Sequence, residues 1–325
     1  MTVKITKPEI NLRHKLTELH KPSGIAGESM LRADTAQEQQ ALIGVGRRNL
    51  IINGDFQIWQ RGSSFTSGRF TADRWYSSGG TVTKDGLALK HVATNSDPYL
   101  LYKVEDIGNR FDGQDAIASF YLKTSSGINK LQYLTVCNVN YTHDRMYEIY
   151  SEIPGYKRWA CPVKITNAHT DLIRIVVELE AVVGNVSHLR QVQLELGNVV
   201  TPFEHRSYGE ELTLCKRYFQ QITNYVTFAN KTSDNNYDGH AILPALQLIP
   251  EMRVKPTFTI TSSSGRLANA TAFVSPVSGR EAATWDASLS SNKAIALTGY
   301  WQWTGDSTSQ NTIAVKLSAN MDAEI

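Results

Sequence analysis

The most suggestive chemistry in this sequence is that of a polar recognition loop built around a tyrosine. Residues 233–239 read Ser-Asp-Asn-Asn-Tyr-Asp-Gly, so carboxylate and amide groups flank one aromatic ring. A non-catalytic sugar site needs a flat ring for the apolar face of the sugar and polar groups for its hydroxyls. We therefore predict that this loop recognises a glycan, although a plain turn has the same composition. The residues assigned to this site are Asp234, Asn235, Asn236, Tyr237 and Asp238.

Two tryptophans near the C-terminal end extend this prediction. Trp301 and Trp303 lie two residues apart, so on a β-strand their side chains share one face. That face is either part of a core or an exposed aromatic platform, and the spacing leaves both alternatives open. Asp306, in the loop at 305–307, is the last residue of the predicted recognition tip.

Catalytic motifs are missing from the sequence. It contains no nucleophile elbow, phosphate-binding loop or metalloprotease helix. The 8 histidines are scattered, and the 3 cysteines include no Cys-x-x-Cys pair. A pair of catalytic carboxylates has no signature in a single sequence, so a glycosidase remains an alternative. We expect a protein that is not an enzyme and that has no cofactor.

Asp55 and Asp73 are weak candidates for a structural calcium site, because that ion prefers hard oxygen ligands. Capping of a turn by Asp55 is the simpler interpretation.

Length and charge limit the classes to which the protein can belong. The chain has 325 residues, with 41% apolar and 20% charged residues, which suggests about two folded domains. A net charge of +2 argues against a protein that binds nucleic acid by neutralising phosphates. No run approaches the roughly 20 apolar residues of a membrane span, so we expect no membrane insertion.

Residues 1–48 are predicted to form a short helical arm. Thr6 and Glu9 have the spacing of a capping box that would begin a first helix, and Thr35 and Glu38 repeat it for a second. Such short helices bury too little surface to be stable alone. The arm therefore needs sister chains or a larger assembly, or else it packs on its own domain. The apolar residues assigned to oligomerisation or attachment are Ile5, Leu12, Leu16 and Leu19.

Residues 49–208 are predicted to form an antiparallel β-sandwich of the jelly-roll type. The run at 49–56, Asn-Leu-Ile-Ile-Asn-Gly-Asp-Phe, looks like a strand that ends on an Asn-Gly turn. Alternation is clearest at residues 173–179, where the apolar residues share one face and Arg174 and Glu178 point to the other. Trp59 and Trp75 are expected in the core. The other predicted strands are 81–83, 99–104, 116–123, 131–139, 158–165, 172–179 and 189–196.

Residues 209–325 are predicted to form a second, smaller β-sandwich domain that carries the recognition tip. Ser207 and Glu210 could cap a helix whose inner face includes Leu212, Cys215 and Phe219, but a strand is an alternative there. The stretch Ser-Ser-Ser-Gly at 262–265 is interpreted as a loop. The predicted strands are 225–228, 241–248, 257–261, 270–274, 294–301 and 312–317.

A series of short motifs resembles bacteriophage tail fibre proteins; we call them the fibre motifs. They occur in a fixed order over most of the chain. They are Asn-Gly-Asp-Phe at 53–56, Trp-Gln-Arg-Gly at 59–62, Thr-Ala-Asp-Arg-Trp at 71–75, Val-Gln-Leu-Glu-Leu-Gly at 192–197, Thr-Pro-Phe-Glu at 201–204, Glu-Leu-x-x-Cys-x-Arg-Tyr at 211–218, Pro-x-Met-Arg-x-x-Pro at 250–256 and Asp-Ala-Glu-Ile at 322–325.

The resemblance implies a virion component, made in the host cytoplasm and usually homotrimeric. The middle segment would resemble a carbohydrate-binding-module jelly roll, with Asn-Gly-Asp-Phe at 53–56 in its first strand and Gln-Leu-Glu at 193–195 in its last. Residues 1–48 would attach to other tail or baseplate proteins, and the distal β domains would meet a host surface glycan or an outer-membrane receptor. No sugar-binding aromatic residue of such modules can be carried over. A purely structural tail or baseplate component and a polysaccharide depolymerase are the alternatives.

Overall fold

A computed structural model describes residues 48–106, 109–127, 131–166, 172–231, 238–242, 246–267, 284–286, 294–295, 298–302 and 312–324. The predicted arm at 1–48 lies outside these residues except for Arg48, as do Ile5, Leu12, Leu16 and Leu19. The predicted strand at 270–274 lies outside them too. In the described part of the chain, no helix has the length and apolar character of a membrane span.

The first half of the described chain consists of thirteen short strands. They are β1 (Ser64–Phe65), β2 (Arg69–Phe70), β3 (Tyr76–Ser78), β4 (Gly80–Asp85), β5 (Ala88–Ala93), β6 (Tyr99–Glu105), β7 (Asp115–Thr124), β8 (Tyr133–Val136), β9 (Val139–Thr142), β10 (Tyr147–Ile149), β11 (Lys157–Lys164), β12 (Leu172–Glu178) and β13 (Val186–Leu196).

These strands form two antiparallel sheets that pack face to face. One sheet has seven strands in the order β1-β4-β5-β13-β7-β11-β10, and the other has six in the order β2-β3-β6-β12-β8-β9. The predicted mainly β chain with an antiparallel jelly-roll sandwich is confirmed. As predicted, the Gln-Leu-Glu residues at 193–195 belong to the last strand of the sandwich, β13.

The core lies between the two sheets and follows the period-two pattern of the strands. Ile173, Ile175 and Val177 are buried, whereas Arg174 is exposed on the opposite face. Trp75 is fully buried, and its ring centroid lies 5.1 Å from that of Phe56. The predicted core position of Trp75 is therefore confirmed. Trp59 is half-buried and packs against the edge of the same core.

The predicted strand at residues 49–56 is wrong, because this segment is an irregular, buried turn. The side chain of Asn49 provides hydrogen bonds to the backbone of this region. Its Oδ1 accepts from the backbone N–H groups of Ile51 (3.0 Å) and Leu194 (3.1 Å). Asn53 has a φ of 57°, which a regular strand does not allow. Two backbone hydrogen bonds to β13, between Leu50 and Leu194 and between Val192 and Gly54, together with the side-chain bonds of Asn49, hold this segment instead of a regular strand ladder.

One short helix, α1 (Tyr208–Lys216), follows the sandwich. Ser207 caps it by accepting a hydrogen bond from the backbone N–H of Glu210, which confirms the predicted cap. Cys215 is fully buried on the inner face. The predicted position of Phe219 on that helix is wrong, since the helix ends before it and Phe219 begins the next strand.

The C-terminal part is again antiparallel β. Its strands are β14 (Phe219–Lys231), β15 (Asp238–Ile242), β16 (Leu246–Gln247), β17 (Thr257–Leu267), β18 (Thr284–Asp286), β19 (Ala294–Ile295), β20 (Thr298–Gln302) and β21 (Thr312–Asp322). Six of them form a sheet in the order β17-β21-β14-β15-β20-β18, and β16 pairs with β19.

The predicted loop at residues 262–265 is wrong, because these residues continue strand β17. They pair with residues 315–318 of β21, which is long enough to supply hydrogen-bond partners along the whole of β17. A backbone ladder does not depend on apolar side chains, so a run of serines takes part in it when its neighbour is already in place.

Candidate functional site

The fibre motifs meet in one region of the structure, although they are far apart in sequence. In the first motif, the side chain of Asn53 donates to the backbone carbonyls of Ile58 (2.9 Å) and Asp73 (3.0 Å). The indole N–H of Trp75, from the third motif, donates to the backbone carbonyl of Asn53 (3.0 Å). A Cβ atom on Gly54 would lie 2.1 Å from the carbonyl oxygen of Val192, so this position requires glycine. These residues hold the turn in place.

The motifs at 192–197 and 201–204 bond to each other. The carboxylate of Glu195 accepts hydrogen bonds from the backbone N–H of Thr201 (3.2 Å) and from the Thr201 hydroxyl. The side-chain carbonyl of Gln193 accepts from the backbone N–H of Glu204 (2.8 Å). Glu195 and Gln193 are buried, so their polar groups fix the chain that leaves the sandwich.

A cluster of charged residues joins that chain to helix α1. The side chain of Arg206 is 5% exposed, and its guanidinium lies 3.3 Å from the carboxylate of Glu211 and 3.7 Å from that of Glu204. The same carboxylate of Glu211 accepts the backbone N–H of Asn53. Burial raises the pKa of Glu211, while the Asn53 N–H and Arg206 oppose this effect.

The final motif completes the contact at the end of the C-terminal sheet. Arg74 is 2% exposed and forms an ion pair with Glu324, whose side chain is also 2% exposed. The guanidinium carbon of Arg74 lies 3.5 Å from the centre of the Tyr218 ring. Burial disfavours the charge of Arg74, but Glu324 and the neighbouring tyrosine rings outweigh burial and raise its pKa. Arg61 bridges Asp322 (3.1 Å) and Glu324 (3.4 Å).

We call this contact the joint. Its members are Gln60, Arg61, Asp73, Arg74, Tyr218, Phe219, Asp322 and Glu324. It fixes the sandwich to the first residues of β14 and the last residues of β21. The fibre motifs therefore position one part of the chain on another, and most of their polar groups already have partners.

The two weak calcium candidates lie in this region. Asp73 is fully buried and lies 3.8 Å from the guanidinium of Arg61, and its carboxylate accepts hydrogen bonds from Gln60. Burial raises the pKa of Asp73 to about 6, against the effects of Arg61 and Gln60. Asp55 accepts a hydrogen bond from Gln57. Among the described residues, no group of three histidine, cysteine, aspartate or glutamate side chains is arranged to hold a metal ion.

The three cysteines are buried. Burial raises the pKa of the Cys161 thiol to about 12 and raises those of Cys137 and Cys215 as well. A thiol with a raised pKa is a poor nucleophile at neutral pH, so we assign these residues to packing.

Of the predicted recognition tip, only Asp238 and Trp301 lie within the described strands. Asp234, Asn235, Asn236, Tyr237, Trp303 and Asp306 lie outside the described residues. Asp238 begins β15 and pairs with Gln302, the last residue of β20. The described strand ends that precede 232 and 303 and follow 237 and 311 therefore lie at the same end of the sheet. Strand β14 has 13 residues and runs from the joint to this end, a length of about 40 Å.

A different site, which sequence reasoning missed, lies on the outer face of the six-stranded sheet. We call it the tyrosine face, and it consists of Phe70, Tyr76, Tyr99, Lys103, Tyr133, Arg174 and Glu178. These residues alternate along their strands with buried core residues such as Leu100, Tyr102 and Ile175, so they point away from the core.

One row of the tyrosine face places a carboxylate between two phenol rings. Glu178 pairs with Tyr99 on one side and with Tyr133 on the other, which puts neighbouring Cβ atoms about 5 Å apart. All three side chains are half-buried. Burial and the nearby Asp97 raise the pKa of Glu178, and Arg174 opposes this effect.

The next row contains a small aromatic cleft. The rings of Phe70 and Tyr76 meet edge to face with their centroids 5.6 Å apart. Together with Leu101, Lys103 and Arg74 they line a cleft with a volume of about 210 Å³. The register of the strands then places Lys103 beside Arg174 in the third row.

The tyrosine face can bind a ligand that has both apolar faces and hydroxyl groups. Tyr76, Tyr99 and Tyr133 offer flat rings, and Glu178, Arg174 and Lys103 offer hydrogen-bonding groups between them. Period-two alternation at residues 99–105 could have revealed this face, because Tyr99, Leu101 and Lys103 alternate with apolar residues.

Similarities to known proteins are limited to solved structures. No protein-family model and no curated protein matches the sequence. A structure described as "CBM4 structure and function" has 9% sequence identity to this chain. The match covers 45% of this chain and 98% of the other chain, with a TM-score of 0.27. A putative sugar binding protein from Bacteroides thetaiotaomicron has 14% sequence identity to this chain. That match covers 46% of this chain and 100% of the other chain, with a TM-score of 0.26.

The N-terminal CBM22-1-CBM22-2 tandem domain of Paenibacillus barcinonensis Xyn10C is similar over a longer stretch. Its sequence identity to this chain is 10%, and the match covers 81% of this chain and 97% of the tandem domain, with a TM-score of 0.28. TM-scores in this range reflect limited similarity. The fold of this chain is therefore described from its own sheet order, and the candidate site from its own side chains.

Proposed function

We propose that this chain is a non-enzymatic bacteriophage tail fibre protein that recognises a glycan on the host surface. The observation that carries glycan recognition is the tyrosine face, where three half-buried tyrosines surround hydrogen-bonding side chains on a sheet face that points away from the core. Aromatic rings that stack on sugar rings, next to groups that bond hydroxyls, are the elements a carbohydrate site requires.

The fibre role rests on the fibre motifs and on what they build. The joint fixes the sandwich to one end of the C-terminal sheet, and the loops of the predicted tip leave the other end, about 40 Å away. Such an arrangement suits a protein that extends a recognition surface away from a particle. In this proposal residues 1–48 attach to tail or baseplate proteins, and the mature protein is a homotrimer in the virion. Linked copies with weak sites would bind a cell far more tightly than one copy.

The test of glycan recognition is the binding of the full chain to arrayed bacterial polysaccharides. In one variant Tyr99→Ala and Tyr133→Ala are combined. In the matched control Tyr150→Ala and Tyr208→Ala remove two tyrosines that are 83% and 58% exposed but lie outside the tyrosine face. We expect the first variant to lose binding and the control to keep it. Equal binding by both variants and the parent would refute the tyrosine face as the site.

The predicted tip can be separated from the tyrosine face in the same assay. A variant with Tyr237→Ala and Trp303→Ala tests residues 209–325 as the host-recognition part. If only this variant loses binding, recognition belongs to the tip and the sandwich is a spacer. Release of reducing sugar from any bound polysaccharide would contradict the proposal that the protein is not an enzyme.

A purely structural tail or baseplate component is the second candidate. The observation in its favour is that the fibre motifs that can be followed in the structure form contacts within the chain, in the joint and around it. A virion reconstruction with the tyrosine face and the end of the C-terminal sheet buried against other tail proteins would establish this alternative. Both surfaces exposed at the host-proximal end of the tail would exclude it.

A further inference from the structure

We infer that the glycan bound by the tyrosine face is acidic, and that Lys103 and Arg174 bind its carboxylate, phosphate or sulfate groups. This inference rests on the proposed function, since it specifies the ligand of the same face.

Two cations are paired on the outer face of the six-stranded sheet. Lys103 and Arg174 are direct cross-strand partners on β6 and β12, so their side chains project side by side. Like charges directly opposite each other destabilise a sheet unless something lies between them. An anion between the two side chains would remove this repulsion.

Lys103 and Arg174 lie in a region where positive charge is in surplus. Arg74 is paired with Glu324, and both Arg217 (3.7 Å) and Arg253 (3.4 Å) lie next to Glu105. Within the described residues, no carboxylate lies within 4.0 Å of the Lys103 ammonium or the Arg174 guanidinium. Burial lowers the pKa of Lys103, and Arg174, Arg74 and Arg253 lower it further, as expected for a cation surrounded by cations.

The nearby carboxylates are already engaged or lie in other rows. Glu105 is the carboxylate between Arg217 and Arg253, and Glu178 lies between the two tyrosines, two rows away from Lys103. An acidic sugar could therefore place its ring over Tyr76 and its negative group at Lys103 without approaching Glu178. The cleft lined by Phe70, Tyr76 and Lys103 combines both kinds of contact.

The two cations are accessible to a ligand, and each binds an anion with a different geometry. Arg174 is exposed and Lys103 is half-buried against the cleft, so a ligand can reach both. A guanidinium offers paired donors for a carboxylate or phosphate, whereas an ammonium acts as a point charge. Two adjacent cations of different geometry suit one anionic group on a sugar ring.

The experiment compares polymers that differ only in charge. Polygalacturonate is tested against its fully methyl-esterified form, and dextran sulfate against dextran, which separates carboxylates from sulfates. The full chain is compared with a variant that carries Lys103→Gln and Arg174→Gln. The control variant carries Lys84→Gln and Lys123→Gln, which removes the same charge from exposed positions on the seven-stranded sheet.

We expect the parent chain to bind at least one acidic polymer more tightly than its neutral counterpart. The Lys103→Gln, Arg174→Gln variant should bind that polymer at least about tenfold more weakly, since a charge-assisted hydrogen bond contributes more than a tenfold change in affinity. The control variant should bind it as the parent does. Dominance of carboxylate or of sulfate in the panel would identify the acidic group.

Three results would overturn the inference. They are equal binding of acidic and neutral polymers, retention of the preference in the Lys103→Gln, Arg174→Gln variant, and an equal loss in the control variant, which would indicate attraction by net charge. Binding that depends on Tyr99 and Tyr133 but not on acidity would leave the proposed function intact. Binding that depends neither on Tyr99 and Tyr133 nor on Lys103 and Arg174 would contradict the assignment of glycan recognition to the tyrosine face. Failure to bind any acidic polymer of the panel also counts against the inference.

Discussion

The joint and the tyrosine face are built from the same kinds of residue but differ in how those residues are partnered. In the joint, Arg74 and Glu324 are each 2% exposed and bind one another. On the tyrosine face, Lys103 and Arg174 lie side by side, and no carboxylate of the described residues is within ion-pair distance of either. Most polar groups of the joint are bonded within the chain, although Nη1 of Arg61 and Nε of Arg74 have no hydrogen-bond partner in the described part of the chain. Lys103 and Arg174 are the cations that our proposal assigns to a ligand.

This difference explains why the most recognisable residues of the sequence do not belong to the proposed binding site. A buried polar network works only if each donor and acceptor has its partner, so its sequence is specific. A solvent-facing sheet surface has no such requirement, and its residues can vary with the ligand. The fibre motifs therefore identify an architecture, whereas the identity of the ligand depends on residues outside them.

The largest predicted difference between the two regions comes from breaking the buried ion pair. Glu324→Gln keeps the size of the side chain but leaves Arg74 buried without its charge partner, which should lower the free energy of unfolding by about 3–5 kcal/mol. The matched control is Glu148→Gln, because the pair of Glu148 and Lys157 is 48% and 39% exposed. The Glu148→Gln substitution should lower the free energy of unfolding by less than about 1 kcal/mol. Urea unfolding of both variants checks this, and equal losses would show that the joint is not the main polar contact.

The second prediction concerns the close contact that positions the buried turn. In Gly54→Ala the new Cβ would lie 2.1 Å from the backbone carbonyl oxygen of Val192, which cannot move without shifting β13. We expect a loss of about 3 kcal/mol in thermal or urea unfolding. Gly86→Ala is the control: its φ of 58° is strained for alanine, but nothing lies within 4 Å. A smaller loss for Gly54→Ala than for Gly86→Ala would contradict the packing described for this turn.

The third prediction is a pH dependence that belongs to the joint. Asp73 has a pKa of about 6 in the folded protein, above its ordinary 3.8, so the folded state binds this proton more tightly than the unfolded state. The contribution of Asp73 to stability is therefore present in full at acid pH and is lost as the pH rises from about 4 through about 6. Asp73→Asn has no titratable group at this position.

We therefore expect the Asp73→Asn variant to gain stability relative to the parent as the pH rises from 4 to 7. The gain should be about 2 kcal/mol, since one unit of pKa shift corresponds to about 1.4 kcal/mol. Urea unfolding at several pH values gives this difference directly, and Asp115→Asn serves as the control because its carboxylate is 57% exposed. A difference that is constant with pH, or that falls as the pH rises, would contradict the raised pKa.

The smallest predicted effect on stability belongs to the tyrosine face. Lys103→Gln with Arg174→Gln removes two like charges from adjacent positions, so the free energy of unfolding should stay within about 0.5 kcal/mol of the parent or rise slightly. Calorimetry of the variant without ligand checks this expectation. A loss of several kcal/mol would mean that these two cations, like those of the joint, have structural partners.

The sequence predicted those parts of the fold that depend on local patterns. Alternation at residues 173–179 identified the core face of β12, and Ser207 identified the start of α1. Residues 49–56 have the composition of a strand but bond through the side chains of Asn49 and Asn53. Asn49 bonds to Leu194 of β13, and Asn53 bonds to Asp73, so both depend on partners that are distant in sequence. Residues 262–265 form a strand only because β21 lies beside them.

The candidate site was less predictable than the fold. The tyrosine face combines residues from five strands, and the pairing of Tyr99, Glu178 and Tyr133 depends on a register that no single segment determines. Asp238 pairs with Gln302, so the described strand ends next to the predicted tip residues lie at one end of a sheet. Their role in recognition, and that of the arm at 1–48 in attachment, remain predictions.

The most direct test of the central claim is chemical labelling of tyrosines in the intact chain, with and without a bound polysaccharide. Iodination followed by mass spectrometry would be performed with the polymer that binds most tightly in the panel above. We predict that the bound polymer protects Tyr76, Tyr99 and Tyr133, while Tyr150 and Tyr208 are labelled as in the free protein. Unchanged labelling of Tyr76, Tyr99 and Tyr133 in the bound state would contradict the assignment of recognition to the tyrosine face.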